Sequence, residues 1–428
     1  MSKAGILSIG LIILVAGPLS AQWFQQNSGL TYGLLDVDFV DTLHGVVTGI
    51  DVQHTDTALV TTNGGNTWLY SFKSGGFGDV CMVNDRRGWA VAGSWFVTTT
   101  DGGFTWVNTS PLPGMFVKGL SFVDTLNGWA AGEDGGGNTY IYATTDGGYN
   151  WSRQATNLKR YMNDIQFVDT LHGWACGYDG GADTLSVLAT RDGGQTWVKQ
   201  RTPSSGIGLG DLFSIFFLDS LRGWGVCSAD GQVIITTDGG QIWDQAGVGP
   251  WLYDIVFADS VFGWAVGSLG GALILVSTDG GWNWSSQPPG VTNTLAAVDF
   301  VGRKKGWIVG LNGVILHTDN GGGTVGVEDE AGQGDKGTRG QGERLTAYPN
   351  PSAKEVRIQI KVPEGQGRLA IYDITGRLVR DLTQKMRGSQ VVVWDGRDEQ
   401  GRAVTSGSYF VKLRTGEKER TRKVVILR

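Results

Sequence analysis

The sequence is poor in cysteine, in histidine and, over most of its length, in glutamate. Cys81, Cys176 and Cys227 form an odd set without C-x-x-C spacing, which speaks against a disulfide framework and a structural zinc site. They lie in or near apolar strand-like runs and read as buried free thiols. The four histidines are scattered: His44 and His172 in matching turns, His54 in a loop, His317 beside the last of the repeats described below. Such scatter supports no Ser-His-Asp triad. Glu133 is the sole glutamate between residues 22 and 323, which leaves little material for a Tyr–Glu nucleophile pair or a glutamate acid–base pair. After residue 21 no apolar run reaches the roughly 20 residues of a membrane span.

Residues 1–21 hold Lys3, an apolar run over 6–15, Pro18 and small residues at Ser20 and Ala21. That is the layout of a secretory signal peptide, with cleavage expected near Ala21. No cysteine follows to carry a lipid. The formal net charge of −6 is uneven: residues 22–322 carry 14 basic against 27 acidic side chains, a balance of −13, and residues 345–428 carry 17 against 9, a balance of +8. Two domains with different surfaces follow, and the acidic one is an unsuitable partner for nucleic acid.

What the chain has in abundance is glycine, 69 residues, and tryptophan, 17 residues, and both recur with a period. TTNGGNTW (61–68), TTDGGFTW (99–106), TTDGGYNW (144–151), ATRDGGQTW (189–197), TTDGGQIW (236–243) and STDGGWNW (277–284) place Trp68, Trp106, Trp151, Trp197, Trp243 and Trp284 at separations of 38, 45, 46, 46 and 41 residues. That is the length of a four-stranded propeller blade. Each is preceded by a unit such as IQFVDTLHGWACG (165–177), and a seventh, VDFVGRKKGWIVG (298–310), leads to HTDNGGGT (317–324) without a tryptophan. Period-2 alternation gives strands a, b and c per unit, with strand d beginning at the motif tryptophan. QWFQQ (22–26) supplies the seventh strand d, so the mature N-terminus is expected to close an all-β, seven-bladed β-propeller over 22–323. In each D-G-G turn the aspartate is expected to accept backbone hydrogen bonds and the glycines to take positive φ. The structural positions so assigned are Asp101, Asp146, Asp192, Asp238, Asp279 and Asp319 with the six tryptophans. A calcium loop is disfavoured because each turn offers one or two carboxylates where calcium takes six to eight oxygens. No metal and no cofactor are expected.

The S/T-x-D-x-G-x-x-W pattern resembles the Asp-box of bacterial neuraminidase repeats. The whole unit, F-x-D-x-x-x-G-W-A-V-G plus T-T-D-G-G-x-T-W, is similar to the photosystem II stability/assembly factor family over about 22–323. The resemblance implies the fold, and as functional alternatives an assembly factor for a membrane complex or an Asp-box glycoside hydrolase. A sialidase-like site needs three converging arginines, and the propeller's arginines fall mostly in turns. No enzyme is expected. Residues 324–344, rich in Gly, Asp, Glu, Gln and Lys, read as a flexible linker. From 345 to 428, alternating strands with D-x-x-G turns suggest a small Ig-like β-sandwich. Y-P-N-P (348–351), I-Y-D-I-T-G-R (371–377), W-D-G-R-D-E-x-G (394–401) and S-G-S-Y-F-V (406–411) resemble the C-terminal sorting domains of type IX secretion cargo and the Ig-like domain of hook-capping proteins. That resemblance implies secretion or display on the outer surface, with the secretion machinery as one partner.

Function then falls to the face whose connections vary, since the a–b and c–d turns are nearly uniform. The long b–c loops bring Asp51, Asp56, Glu133, Asp134, Asp179 and Asp183 to one side, and Trp95, Trp251, Tyr161, Phe116 and Phe77 stand in variable connections; Trp282 is on the opposite face. The expected function is binding of a protein or glycan by a monomer.

Overall fold

The computed structural model describes residues 22–50, 56–72, 77–92, 95–111, 115–134, 136, 138–154, 161–179, 184–203, 211–227, 231–247, 251–323, 344–348, 356–361, 367–373, 377–383, 390–405, 407–415 and 418–426. They belong to two compact units, 1–328 and 329–428.

The first unit consists of seven antiparallel four-stranded sheets, each a blade. Blade 3 is representative: Met115–Phe122, Gly128–Asp134, Thr139–Thr144 and Ser152–Gln154 pair in order a-b-c-d. Neighbouring a strands touch one another in an unbroken circle, so they form the inner wall of a closed ring. In blade 7 the a, b and c strands are Leu295–Val301, Lys305–Gly310 and Val314–Thr318, and the fourth is Phe24–Gln26 from the other end of the chain, with Phe24 opposite His317 and Gln26 opposite Ile315. The ring is thus held shut by strand pairing.

Stacked aromatic pairs join the blades. The tryptophan of each G-W pair lies flat on the strand-a phenylalanine of the next blade, as in Trp89 on Phe122, Trp174 on Phe217 and Trp307 on Phe39, with ring centroids 3.5–3.7 Å apart. A glycine must precede that tryptophan, because a Cβ at Gly128 or Gly306 would lie within 2.4 Å of the strand-a phenylalanine of its own blade. Each phenylalanine also receives the edge of its own blade's motif tryptophan, as Phe167 does from Trp197 at 5.8 Å. In blade 7 Trp23 fills that position, edge-on to Phe300 at 5.9 Å. Ten of these thirteen tryptophans are buried, and Trp151, Trp197 and Trp284 are partly covered. Full burial of one is worth roughly 4–6 kcal/mol before entropy is subtracted.

One correction concerns strand d. The motif tryptophan does not begin it but precedes it, as Trp68 precedes Leu69–Phe72, because its indole turns inward while the following residues take up the pairing.

The second unit contains a three-stranded sheet (Arg344–Tyr348, Val356–Lys361, Gln390–Trp394) and a four-stranded one (Leu378–Asp381, Arg368–Asp373, Gly407–Thr415, Lys418–Ile426). Val356, Ile358 and Trp394 of the first share one buried core with Ile371, Val411 and Val424 of the second.

Candidate binding face

Antiparallel pairing sorts the connections onto two ends of the ring. One end carries the a–b and D-G-G turns, the other the starts of strands a and c.

The D-G-G turns are fully engaged with themselves. In blade 3, Thr144 Oγ1 donates to Asp146 Oδ1 at 2.8 Å and accepts from Gly148 N at 3.0 Å, and Asp146 accepts from Asn150 N at 2.9 Å and Asn150 Nδ2 at 2.7 Å. Asp101, Asp192, Asp238 and Asp279 are held in the same way. The backbone donation of Asn150 to Asp146, and the hydroxyl of Thr196 on Asp192, keep both carboxyls below the usual range. Both glycines of all seven turns have φ between +68° and +94°, a region open to glycine. Asp319 does not belong to this set. The anchoring hydroxyl is Thr318, so the carboxylate position falls two residues on, at Asn320, which accepts it at 3.0 Å; Asp319 instead pairs with Lys305 at 2.5 Å. Asn63 does the same work in blade 1. His44 and His172 sit on Asp41 and Asp169 of their own a–b turns at 2.9 Å, and His317 reaches the Gly306 carbonyl at 3.1 Å.

Each G-W indole donates to the carbonyl of the first turn glycine in the next blade, as Trp89 does to Gly147 at 2.8 Å and Trp224 to Gly280 at 2.8 Å. One seam breaks the rule. Blade 1 has Val46 in place of the tryptophan, blade 2 has Met82 in place of the phenylalanine, and a cleft of about 20 Å³ opens between them beside Gly102, room for about one water molecule.

The sequence reading missed the inner wall. Strand a is an edge strand whose N–H groups need acceptors, and side chains of the neighbouring blade provide them. Asp36 accepts from Val80 N at 2.8 Å, Asp79 from Leu120 N at 2.5 Å, Asp164 from Ile215 N at 2.8 Å and Asp254 from Val298 N at 2.8 Å. Asp38 and Asp299 form a second tier, on Met82 N and Phe39 N. Burial, aided by mutual repulsion, pushes Asp164 up to about 6 and Asp254 to about 7, and raises Asp79. Its signal in the sequence is an acid alternating with apolar residues in strand a, a pattern that an ordinary half-exposed strand shares.

Among the expected binding residues, Trp95, Phe116, Tyr161 and Trp251 all lie on the face where the a strands begin, 42–61% exposed. They are spread over blades 2, 3, 4 and 6. Trp282 is at a D-G-G tip on the other face. Glu133 stands opposite Phe116 at the end of strand b, half-buried, with burial raising its carboxyl. Asp134 is no free acid for docking, because its own loop saturates it: it accepts from Asn138 Nδ2 at 2.8 Å, Asn138 N at 2.9 Å, Tyr140 Oη at 2.8 Å and Gly136 N at 2.8 Å. These bonds, that of the Asn138 side chain first, hold it well below the ordinary carboxylate range. Asp56 opens strand c of blade 1, Asp179 ends strand b of blade 4 and Phe77 opens strand a of blade 2. Asp51, Asp183 and His54 lie outside the described residues.

Fold and inner wall together define a seven-bladed Asp-box propeller closed by its N-terminal strand. The model of the photosynthesis system II assembly factor YCF48 matches residues 245–327, and that of the secretion system C-terminal sorting domain matches 346–427. Among solved structures, YCF48 bound to D1 peptide is 21% identical, with 69% of this chain and 96% of that chain covered and a TM-score of 0.55. YCF48 from Cyanidioschyzon merolae is 22% identical, with 70% and 98% covered and a TM-score of 0.54. PorZ, an essential surface component of the type IX secretion system of Porphyromonas gingivalis, is 16% identical, with 92% of this chain and 59% of that chain covered and a TM-score of 0.51. No curated protein matches the chain. The chain carries a propeller domain of the YCF48/BNR type followed by a type IX secretion C-terminal sorting domain, and is accordingly a secreted or cell-surface protein.

Proposed function

We propose that this exported propeller is a non-catalytic binding module that captures a polypeptide outside the cell on the face where its a strands begin. The observation that carries the reading is the set of exposed aromatics there, Phe116, Tyr161 and Trp251 at 47–61% exposure beside Trp95. Large rigid aromatic side chains left in water on one face are the usual anchors of a protein interface. A propeller of the same fold solved with a bound peptide lends support. The described histidines are all engaged in turn or strand contacts, which favours binding over acid–base chemistry.

The test compares the mature chain with a Tyr161→Ala/Trp251→Ala variant of equal melting temperature on a peptide array and a glycan array. Peptide binding that the variant loses supports the reading. Equal binding by both proteins overturns it, and retention of sugars alone transfers the site to glycans. Turnover of sialosides or β-glucans that one carboxylate substitution abolishes would overturn the non-catalytic part.

A further inference from the structure

The mouth of the central channel on this face has a construction of its own. In all seven blades the pairing of strands a and b slips by at least one residue just inside the mouth, as between Met162 and Asp164, Leu212 and Ser214, and Leu252 and Asp254. Such bulges free a residue from the ladder and re-aim its side chain. The residues so freed include Lys118, Asn163, Phe213 and Tyr253. Phe213 and Tyr253 meet edge to face, 5.6 Å apart, across the seam of blades 5 and 6. Tyr161 and Trp251, each immediately before a strand a, flank them. An aromatic arc therefore runs over three consecutive blades. One step deeper, in the a strands of blades 1, 2, 4 and 6, stand Asp36, Asp79, Asp164 and Asp254, where burial, and after it the nearby Asp36, raises the carboxyls of the other three.

We propose that this arc seats an extended polypeptide segment bearing a lysine or arginine, whose stem lies on Phe213 and Tyr253 and whose cationic head enters the throat lined by the four aspartates. The inference rests on the polypeptide-binding reading above and adds the chemistry of the ligand. Aromatic faces suit both the alkyl stem and the charge of such a side chain, and a carboxylate-lined channel with low-dielectric walls focuses a field that draws cations inward. Asp36 and Asp164 each hold two backbone donors, Asp79 holds Leu120 N, and Asp254 holds Val298 N, Ile255 N and the Ser214 hydroxyl, so a cation drawn inward meets the remaining lone pairs without breaking the bonds that join the blades. Lys118, exposed at the mouth on blade 3, is the opposing charge.

The experiment uses fluorescein-labelled hexalysine amide, with hexaglutamate and a Trp-Gly-Ser repeat peptide as controls, and anisotropy on the mature chain at about 50 mM and about 300 mM salt. Hexalysine should bind, and Lys118→Glu should tighten it about threefold to tenfold, a gain that misfolding does not mimic. Tyr161→Ala/Trp251→Ala should weaken it at least about tenfold, whereas Leu126→Ala/Leu221→Ala on the opposite face should change nothing. Hexalysine binding that ignores both mouth variants is general attraction to an acidic domain and overturns the proposal, as does equal binding of hexaglutamate. If only the neutral aromatic peptide binds, and Tyr161→Ala/Trp251→Ala abolishes it, the cationic throat is refuted while the polypeptide-binding face stands. If no peptide responds to the mouth variants, both fall.

Discussion

Trp23 offers the sharpest test of how the ring is closed. It comes from the N-terminus, is 3% exposed, lies edge-on to Phe300 and donates from Nε1 to Gln287 Oε1 at 3.0 Å. Replacing Trp23 by alanine removes a full aromatic from a packed seam, about 3–5 kcal/mol. It also leaves the Gln287 carbonyl, itself buried, without its indole donor, although Gln287 Nε2 keeps the Gly321 carbonyl at 3.0 Å. A domain of some 300 residues loses about 2 °C per kcal/mol, so the propeller transition should fall by about 6–10 °C. Phe24→Ala is the internal control. Phe24 is the next residue, belongs to the same strand and is 50% exposed, so its truncation should stay within about 0.5 kcal/mol. Calorimetry of the mature chain, with near-ultraviolet circular dichroism to assign the propeller transition, reads both. If Trp23→Ala melts with the parent, or both variants fall equally, the N-terminal strand does not close the ring as described here.

Three further outcomes follow from the same geometry. Asp164 and Asp299 are pushed up to about 6 and Asp254 to about 7, so the folded propeller binds more protons than the unfolded chain above about pH 4. The stability they contribute is present at low pH and lost as pH rises through about 6–7, whereas Asp146 and Asp192, held low, contribute stability that is lost as pH falls below about 4. Melting temperatures should therefore peak near about pH 5 and decline toward about pH 8; a steady rise over that interval contradicts the inner-wall account. Asp146→Asn should be tolerated, because Asn63 and Asn320 occupy the same position in blades 1 and 7, while Asp146→Ala should cost about 1–2 kcal/mol in a denaturant titration. Val46→Trp combined with Met82→Phe should restore the seventh stacked pair, bring an indole donor to the Gly102 carbonyl and stabilise by about 0.5–2 kcal/mol; a destabilised double variant would mean that this seam differs from the others in backbone and not only in side chains.

The repeat itself was legible because its residues act locally. A glycine pair at positive φ and a threonine and aspartate two residues apart close a turn from within one segment, so TTDGGYNW declares its structure wherever it occurs. Apolar alternation and the spacing of Trp68 through Trp284 then fixed the number of blades. The exception at Asp319 is not legible locally, because HTDNGG offers two polar residues before the glycines and only the spacing from the Thr318 hydroxyl selects Asn320.

The composition and period of the sequence determined that this chain forms a ring of seven four-stranded sheets and carries a separate basic sandwich at its end. Tertiary structure alone decided what lies between the blades. Stacking of Trp174 on Phe217, the reach of Asp254 to Val298 N and the meeting of Phe213 with Tyr253 join residues about 40 positions apart, and no local pattern encodes which partner the ring closure brings opposite. The same closure turns aspartates that alternate unremarkably along single strands into a shared acidic wall. Charges that would be independent in an extended chain perturb one another once a circle of strands holds them around one axis.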